Sequence, residues 1–331
     1  MNTAKLEELI IGVDLGGTKI RAVLADAGAN IKVWDYRGTD ADQGPEEVIK
    51  RIIESIKLLM DSVASPGDIV GIGIGAAGAC EFSSGVVSSS PHLPGWHDVQ
   101  LRDIIQRQFG IPTYLDNDAT LAALGEHRFG AGIGVDNMLY VTLSTGIGGG
   151  IIIEGKPYRG VSGTAGEMGH MTIDVNGPRC SCGNTGCWET LVSGTALAQE
   201  AVRQIEAGAL TTILSFCEGD LKKVSAQIVS LAAEQGDALA QGLISRTGYY
   251  LGVGLVNLVN IFNPELILIG GGLSQIGQPL LAPALKLVSE RAFAVPAKAV
   301  RIEIARLGAN AEALGAVALI IEERAKGPLP R

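Results

Sequence analysis

Residues 9–25 read LIIGVDLGGTKIRAVLA, and residues 138–153 read MLYVTLSTGIGGGIII. In the first stretch the apolar run LIIGVD ends on an acid, Asp14, and two glycines follow it. Residues 19–25 then alternate, with Ile20, Ala22 and Leu24 on one face, the period of a half-buried strand. A turn signal at 26–30, DAGAN, leads into a second alternating run, IKVWDY at 31–36. The spacing predicts three antiparallel strands joined by tight turns. In the second stretch MLYVTL, 138–143, is a strand, STGIGG, 144–149, a glycine-rich turn, and GIII, 150–153, the returning strand. The same succession thus recurs about 130 residues apart. The echo predicts two homologous domains facing one another across a shared cleft, each presenting a hairpin turn to it.

The remaining patterns fill in both halves. Pro45, two acids and the series Val48, Ile52, Ile56 and Leu59 predict a helix over 45–63. Residues 69–74, IVGIGI, read as a buried strand, 99–109 as a helix, 112–115 as a strand and 119–129 as a helix. Residues 195–250 are helical in pattern, broken at Gly236-Asp237, and 265–269, ELILI, form a short strand of parallel type. Residues 311–325 read as an amphipathic terminal helix capped by Asn310, with a frayed tail, GPLPR. No linker separates the halves.

A chain of 331 residues is long enough for two domains. Glycine supplies 45 positions, about twice the usual share of roughly 7%. Without a G-X-Y period, and with 47% hydrophobic residues, the excess means turns and close backbone approaches, neither collagen nor disorder. A net charge of −9 lacks the basic field of a nucleic-acid binder. No apolar run reaches the roughly 18 residues of a membrane span, and MNTAKLEELIIGVD reads as no signal peptide. The expectation is a cytoplasmic protein with no membrane partner.

Two nucleotide motifs are decoys. GIGAAG at 73–78 matches G-x-G-x-x-G, but the stretch behind it is rich in Ser, Gly and Pro and opens no helix for a pyrophosphate. GIIIEGK at 150–156 nearly matches a P-loop, but Pro157 stands where Ser or Thr must hold magnesium, and the segment reads as a hairpin.

Four constellations carry chemistry. In Asp14-Leu15-Gly16-Gly17-Thr18-Lys19 the glycines let backbone amides approach an anion, Thr18 adds a hydroxyl donor, and Asp14 can hold Mg²⁺ through water. A plain hairpin turn would need only the glycines. Thr145 and Gly146 in the matching turn suit phosphate oxygens, so two turns could clamp a triphosphate. Gly270, Gly271 and Gly272 would let a flat base or ribose lie against backbone. In Leu115-Asp116-Asn117-Asp118, between a strand and a helix, Asn117 can bond a sugar hydroxyl and Asp118 can accept a proton from an attacking one. The bland alternative there is a helix N-cap. Finally, Glu167-Met168-Gly169-His170 precedes CSCGNTGC, where Cys180, Cys182 and Cys187 with His170 form a Cys₃His set for a closed, structural Zn²⁺. One ring nitrogen of His170 can bind zinc while the other donates to a ligand. Cys80 and Cys217 read as ordinary buried thiols, His92 and His97 as loop residues around Trp96, and His127 as a helix residue.

The stretches VDLGGTK, SPHLPGW, DNDA, STGIGGG, AGEMGH, CSCGNTGCWE and PELILIGGG together resemble the ROK family of repressors and sugar kinases, in family order and over nearly the whole chain. CSCGNTGCWETLVSGTAL looks most like the bacterial glucokinases of that family. The resemblance implies an α/β fold: the duplicated actin-like, hexokinase-like (ribonuclease H-like) two-domain fold with a central cleft and a structural zinc site. It would place a small domain over 1–118, completed by the C-terminal helix at about 311–331, and a larger one with the zinc motif over 119–310. It implies ATP-dependent phosphorylation of D-glucose with Mg²⁺, in a homodimer or homotetramer. Asp118 matches the base that takes the proton of the sugar 6-hydroxyl. Asn117, Glu167, His170 and Glu189 match binders of the other hydroxyls, and Gly78 approaches the sugar. His170, Cys180, Cys182 and Cys187 match the zinc ligands. Asp14, Gly16, Gly17, Thr18, Thr145 and Gly146 match the phosphate and Mg²⁺ region, with Lys19 and Gly270 to Gly272 beside them.

Two departures bear on sugar preference: Ala76-Ala77-Gly78 stands where the family often has Pro-Gly, and His92 where it often has Asn. A kinase for N-acetylmannosamine, N-acetylglucosamine, fructose or mannose would use the same machinery. A sugar-responsive repressor needs a DNA-binding domain, for which about eight residues precede the first strand. A dead sugar-binding module would not need Asp14, Asp118 and Thr145 together. Polyphosphate or ADP could replace ATP in such a cleft.

Overall fold

The structure, a computed structural model, describes residues 8–63 and 68–327. Most of the leader reading and the tail residues 328–331 lie outside the described residues. The strands are β1 (Leu9–Leu15), β2 (Lys19–Asp26), β3 (Ile31–Gly38), β4 (Ile69–Ala76), β5 (Ala79–Glu81), β6 (Val86–Ser89), β7 (His97–Val99), β8 (Thr113–Asn117), β9 (Met138–Leu143), β10 (Ile147–Ile153), β11 (Lys156–Pro157), β12 (Leu266–Gly270) and β13 (Arg301–Ile304). The helices are α1 (Pro45–Asp61), α2 (Leu101–Phe109), α3 (Asp118–Phe129), α4 (Glu189–Val192), α5 (Gly194–Glu206), α6 (Ala226–Glu234), α7 (Ala238–Phe262), α8 (Gln278–Arg291), α9 (Ala294–Ala299) and α10 (Ala311–Ala325).

Two five-stranded sheets have orders β3-β2-β1-β4-β8 and β11-β10-β9-β12-β13. Strand for strand these are one topology used twice. In the first sheet β1 pairs antiparallel with β2 and parallel with β4, and β4 pairs parallel with β8. In the second, β12 pairs parallel with both β9 and β13, and β10 pairs antiparallel with β11. The chain forms two compact units: the described residues within 1–136, 150–166 and 306–331, and those within 137–149 and 167–305.

In the first unit strand alternation sorts the core. Leu9, Ile11, Val13 and Leu15 pack with Val48, Ile52 and Ile56 of α1 and Leu101 of α2. The even positions of β1 turn to the other face, where Ile10, with Val23 of β2, packs on Leu314, Val317 and Ile320 of α10. There the glycines are close approaches. A Cβ on Gly12 or Gly73 would stand 2.1 Å from a backbone oxygen of α10, that of Ala313 or Ala316. The helix therefore lies directly on the sheet.

Four local expectations change. The second hairpin turn is shorter than its glycines suggest, because β10 begins at Ile147 and takes in Gly148 and Gly149. α10 is not amphipathic: it is buried on nearly every side, between the sheet and α3, whose Leu121 and Leu124 pack on Ala316 and Leu319. Asn310 gives it no side-chain cap, since its Oδ1 accepts from Arg21 Nη1 at 2.7 Å. His97 lies on the short strand β7, not in a loop.

Candidate functional site

In the first unit the chemistry gathers at the C-terminal ends of β1, β4 and β8. Register sets Asp14 opposite Gly75, and Gly75 opposite Asp116. Asn117 is the N-cap of α3; its Oδ1 accepts the Thr120 N–H at 3.0 Å. Its Nδ2 donates to the Gly78 carbonyl at 3.1 Å and to Asp118 Oδ1 at 3.0 Å. Gly78 reaches that position at φ 114°, with a Cβ site 2.4 Å from the Ser89 carbonyl, so no other residue fits. Asp118 is the first residue of α3, and its Oδ1 also accepts the Ala119 N–H at 2.8 Å. The cap is therefore Asn117, and its neighbour Asp118 presents a carboxylate at the first turn of the helix.

Asp14 is held well above the usual carboxylate range, first by burial, then by the charges of Glu312 and Asp118, against the pull of Arg21. Three carboxylates therefore share this end of the sheet. Glu312, in the first turn of α10, is also pushed up by burial. Sequence reading missed it, because nothing in the chain order joins residue 312 to residue 14.

The turn after β1 is tighter than expected. The Gly16 N–H donates to the Lys19 carbonyl at 3.0 Å, so that amide is already engaged. Thr39 Oγ1 donates to the Gly16 carbonyl at 2.7 Å, and Gly17 lies against the backbone and Cβ of His92. Thr18 is exposed. Lys19 stands off the turn, its Nζ 5.5 Å from the Tyr36 ring centre.

In the second unit the Ser144–Gly146 turn sits at the start of α5. Thr195 Oγ1 donates to the Thr145 carbonyl at 2.8 Å, and the Gly194 N–H to the Ser144 carbonyl at 2.8 Å. Glu189 Oε2 accepts the Ile147 N–H at 2.8 Å, so this carboxylate braces the turn. Its place is fixed by the neighbouring Trp188, fully buried, whose Nε1–H donates to the Tyr250 carbonyl at 2.9 Å. A cavity of about 1090 Å³ opens beside the turn, lined by Thr145, Thr195, Val202, Gln227, Leu231 and Leu273 among others. Of Gly270, Gly271 and Gly272 only Gly272 lines it; Gly270 is the buried last residue of β12, against Tyr140. The helical lining was not legible, since α5 and α6 show only amphipathic spacing.

His170, Cys180, Cys182 and Cys187 bring their ligand atoms within 4.8 Å of one another. The set fits zinc. Bond lengths of ~2.3 Å to sulfur and ~2.05 Å to nitrogen give a tetrahedron with S–S edges of ~3.8 Å and S–N edges of ~3.6 Å. Cys182 and Cys187 Sγ are 3.7 Å apart, and Cys180 Sγ is 3.6 Å from His170 Nδ1. Burial and the neighbouring sulfurs push the Cys187 thiol up to about 12. A cation is what would hold these thiols as thiolates. With Nδ1 turned to the sulfurs, Nε2 of His170 faces Glu167, at 3.9 Å from Oε2. Glu167 itself is exposed.

A family model described as the ROK family matches residues 10–323. This chain belongs to the ROK family. The glucokinase of Halalkalibacterium halodurans is 38% identical over 309 residues, 92% of this chain and 92% of that one. The xylose repressor of Caldicellulosiruptor bescii is 34% identical over 320 residues, 96% of this chain and 79% of the repressor. Among solved structures, the ROK glucokinase of Streptomyces griseus, in complex with glucose and AMPPNP, superposes with a TM-score of 0.84 at 33% identity, covering 95% of this chain and 99% of that one. ROK members thus include enzymes and regulators, and this chain has the α/β fold with mixed sheets that they share. No helix among the described residues is long and apolar enough to cross a membrane.

Proposed function

We propose that this protein is an ATP-dependent hexose kinase whose preferred acceptor is D-glucose, phosphorylated on the 6-hydroxyl. The observation that carries this reading is the placement of Asp118: a carboxylate at the C-terminal end of a parallel strand, held by Asn117 and the first turn of α3, with Asp14 close enough to feel its charge. Phosphoryl transfer asks mainly for positioning and charge neutralisation. Asp118 orients the 6-hydroxyl and takes its proton as the oxygen attacks. Asn117, Glu167, His170 and Glu189, with the backbone at Gly78, hold the other hydroxyls. Thr145 and Gly146, above the N-terminus of α5, receive phosphate oxygens, and the cavity beside them takes the nucleoside. Its apolar walls favour a nucleotide donor over polyphosphate, and the AMPPNP complex of the Streptomyces griseus relative supports ATP.

Asp14 is the residue to hold Mg²⁺. A cation there relieves the repulsion from Glu312 and Asp118, and its charge would offset that of the triphosphate. Zinc held by His170, Cys180, Cys182 and Cys187 would be structural, tying His170 to the Cys motif. The reading includes the duplicated actin-like fold with a central cleft, and self-association as a dimer or tetramer.

The repressor relatives favour a second reading, a sugar-responsive regulator. One experiment separates the two: ADP release from the purified protein over a matrix of phosphoryl donors and hexoses, beside a DNA shift assay. ATP-dependent turnover, highest with glucose, is expected. Sugar binding without turnover, together with salt-sensitive DNA binding, would favour the regulator.

A further inference from the structure

Asp116 is wholly buried beside the two residues assigned to the acceptor hydroxyls, and it is engaged on both oxygens. Arg159 Nε and Nη2 converge on Oδ2 at 2.8 and 2.7 Å, and Oδ1 accepts the Asn117 N–H at 2.9 Å. The guanidinium is capped on its other side by the ring of Phe82, 4.1 Å from the ring centre. Arg159 follows β11, far from β8 in sequence, and both lie in the first unit. A continuous chain of contacts therefore runs from Phe82 through Arg159 and Asp116 to the backbone of Asn117. From there the Asn117 amide reaches Gly78 and Asp118. A well-packed apolar pair at such a position would be at least as stable as a buried ion pair. What apolar side chains could not supply is a fixed direction for the Asn117 N–H at the strand-to-helix junction.

We propose that Arg159 is a positioning residue: by clamping Asp116 it fixes the junction from which Asn117 and Asp118 act. This rests on the kinase reading, and the test keeps the two apart. Burial pushes the Asp116 carboxyl up and Arg159 opposes it, so Arg159→Met leaves a buried acid without its partner and lowers stability as well as activity. Adding Asp116→Asn removes that unpaired charge while leaving the clamp absent. The measurements are kcat for the ATP-dependent reaction, glucose affinity by calorimetry and Tm, on the full chain, for wild type, Arg159→Lys, Arg159→Met and Arg159→Met with Asp116→Asn.

The expectation is a kcat about 10²-fold down in Arg159→Met, the scale of a ~1 Å misplacement. The double variant recovers Tm and glucose binding but not kcat, and Arg159→Lys, which keeps the charge without the fork, lies between. Recovery of kcat together with Tm in the double variant would reduce Arg159 to a structural role and overturn the inference, as would an unchanged kcat in folded Arg159→Met. A wild type without sugar kinase activity overturns the kinase reading instead.

Discussion

Asp118→Asn separates proton acceptance from geometry more cleanly than any other substitution in this chain. Asp118 Oδ1 accepts two hydrogen bonds, from the Ala119 N–H at 2.8 Å and from Asn117 Nδ2 at 3.0 Å. An asparagine oxygen accepts both, so the first turn of α3 and the Asn117 amide stay in place. The lost charge at the helix N-terminus costs roughly 0.3–1 kcal/mol. That is offset, because the Asp118 charge is one of those raising Asp14, and its removal lets Asp14 ionise more easily. The fold and glucose affinity are therefore expected within about twofold of wild type. The proton acceptor, however, is gone, and general-base catalysis is worth ~10²–10⁴ in rate, or about 3–5 kcal/mol of barrier. Coupled ADP release gives kcat, calorimetry gives the glucose Kd, and urea unfolding gives stability. A variant that keeps more than about a tenth of the wild-type kcat, with glucose bound normally, refutes the assignment of Asp118 as base.

Glu312→Gln removes a charge that raises Asp14. The acid limb of the kcat/KM profile is expected to move to lower pH. Because the folded-state shift of Asp14 is upward, it opposes stability once pH rises above the ordinary 3.8, so the variant should gain stability over wild type at neutral pH and lose that gain as pH falls toward 3.8 in urea titrations. Gly73→Ala places a methyl 2.1 Å from the Ala316 carbonyl oxygen and should cost about 3 kcal/mol or more, read as a lowered urea midpoint. Cys182→Ser should release zinc, seen by metal analysis, and lower Tm even though Cys182 is the exposed member of the set. Leu231→Arg, in the cavity wall, should raise KM for ATP while leaving the glucose Kd unchanged, checked by the same kinetics and calorimetry.

The first hairpin was legible because its residues alternate in polarity, and β1, β2 and β3 lie within two residues of the expected bounds. The second was misjudged where glycine hides the pattern. Gly148 and Gly149 were assigned to the turn, yet they are strand residues. Gly150 beside them is explained by packing, for its Cβ would stand 2.6 Å from the Ala119 carbonyl of α3. The Cys₃His set needed only local spacing. Glu312 and Arg159 needed the sheet order, which brings the last helix onto the first strand and the segment after β11 onto β8. Lys19 follows the glycine turn in sequence, and the pleat of β2 sends its side chain to Tyr36.

The two hairpins share a topology and differ in what they present. After β1 the turn closes on itself through the Gly16 N–H, is covered by His92, and lies in the unit that gathers Asp14, Asp118 and Glu312. That end of the sheet gathers carboxylates, whose ionised forms repel a polyphosphate unless a cation intervenes. After β9 the turn is braced from behind by Glu189 and Thr195 and sits at the N-terminus of a 13-residue helix, a place that attracts anions without a metal. On the kinase reading, the first half would need a cation to meet phosphate and the second would not. Divalent-cation dependence of turnover should therefore trace to the first half. Substitutions at Asp14 should change the metal requirement, and substitutions at Thr145 should change nucleotide affinity alone.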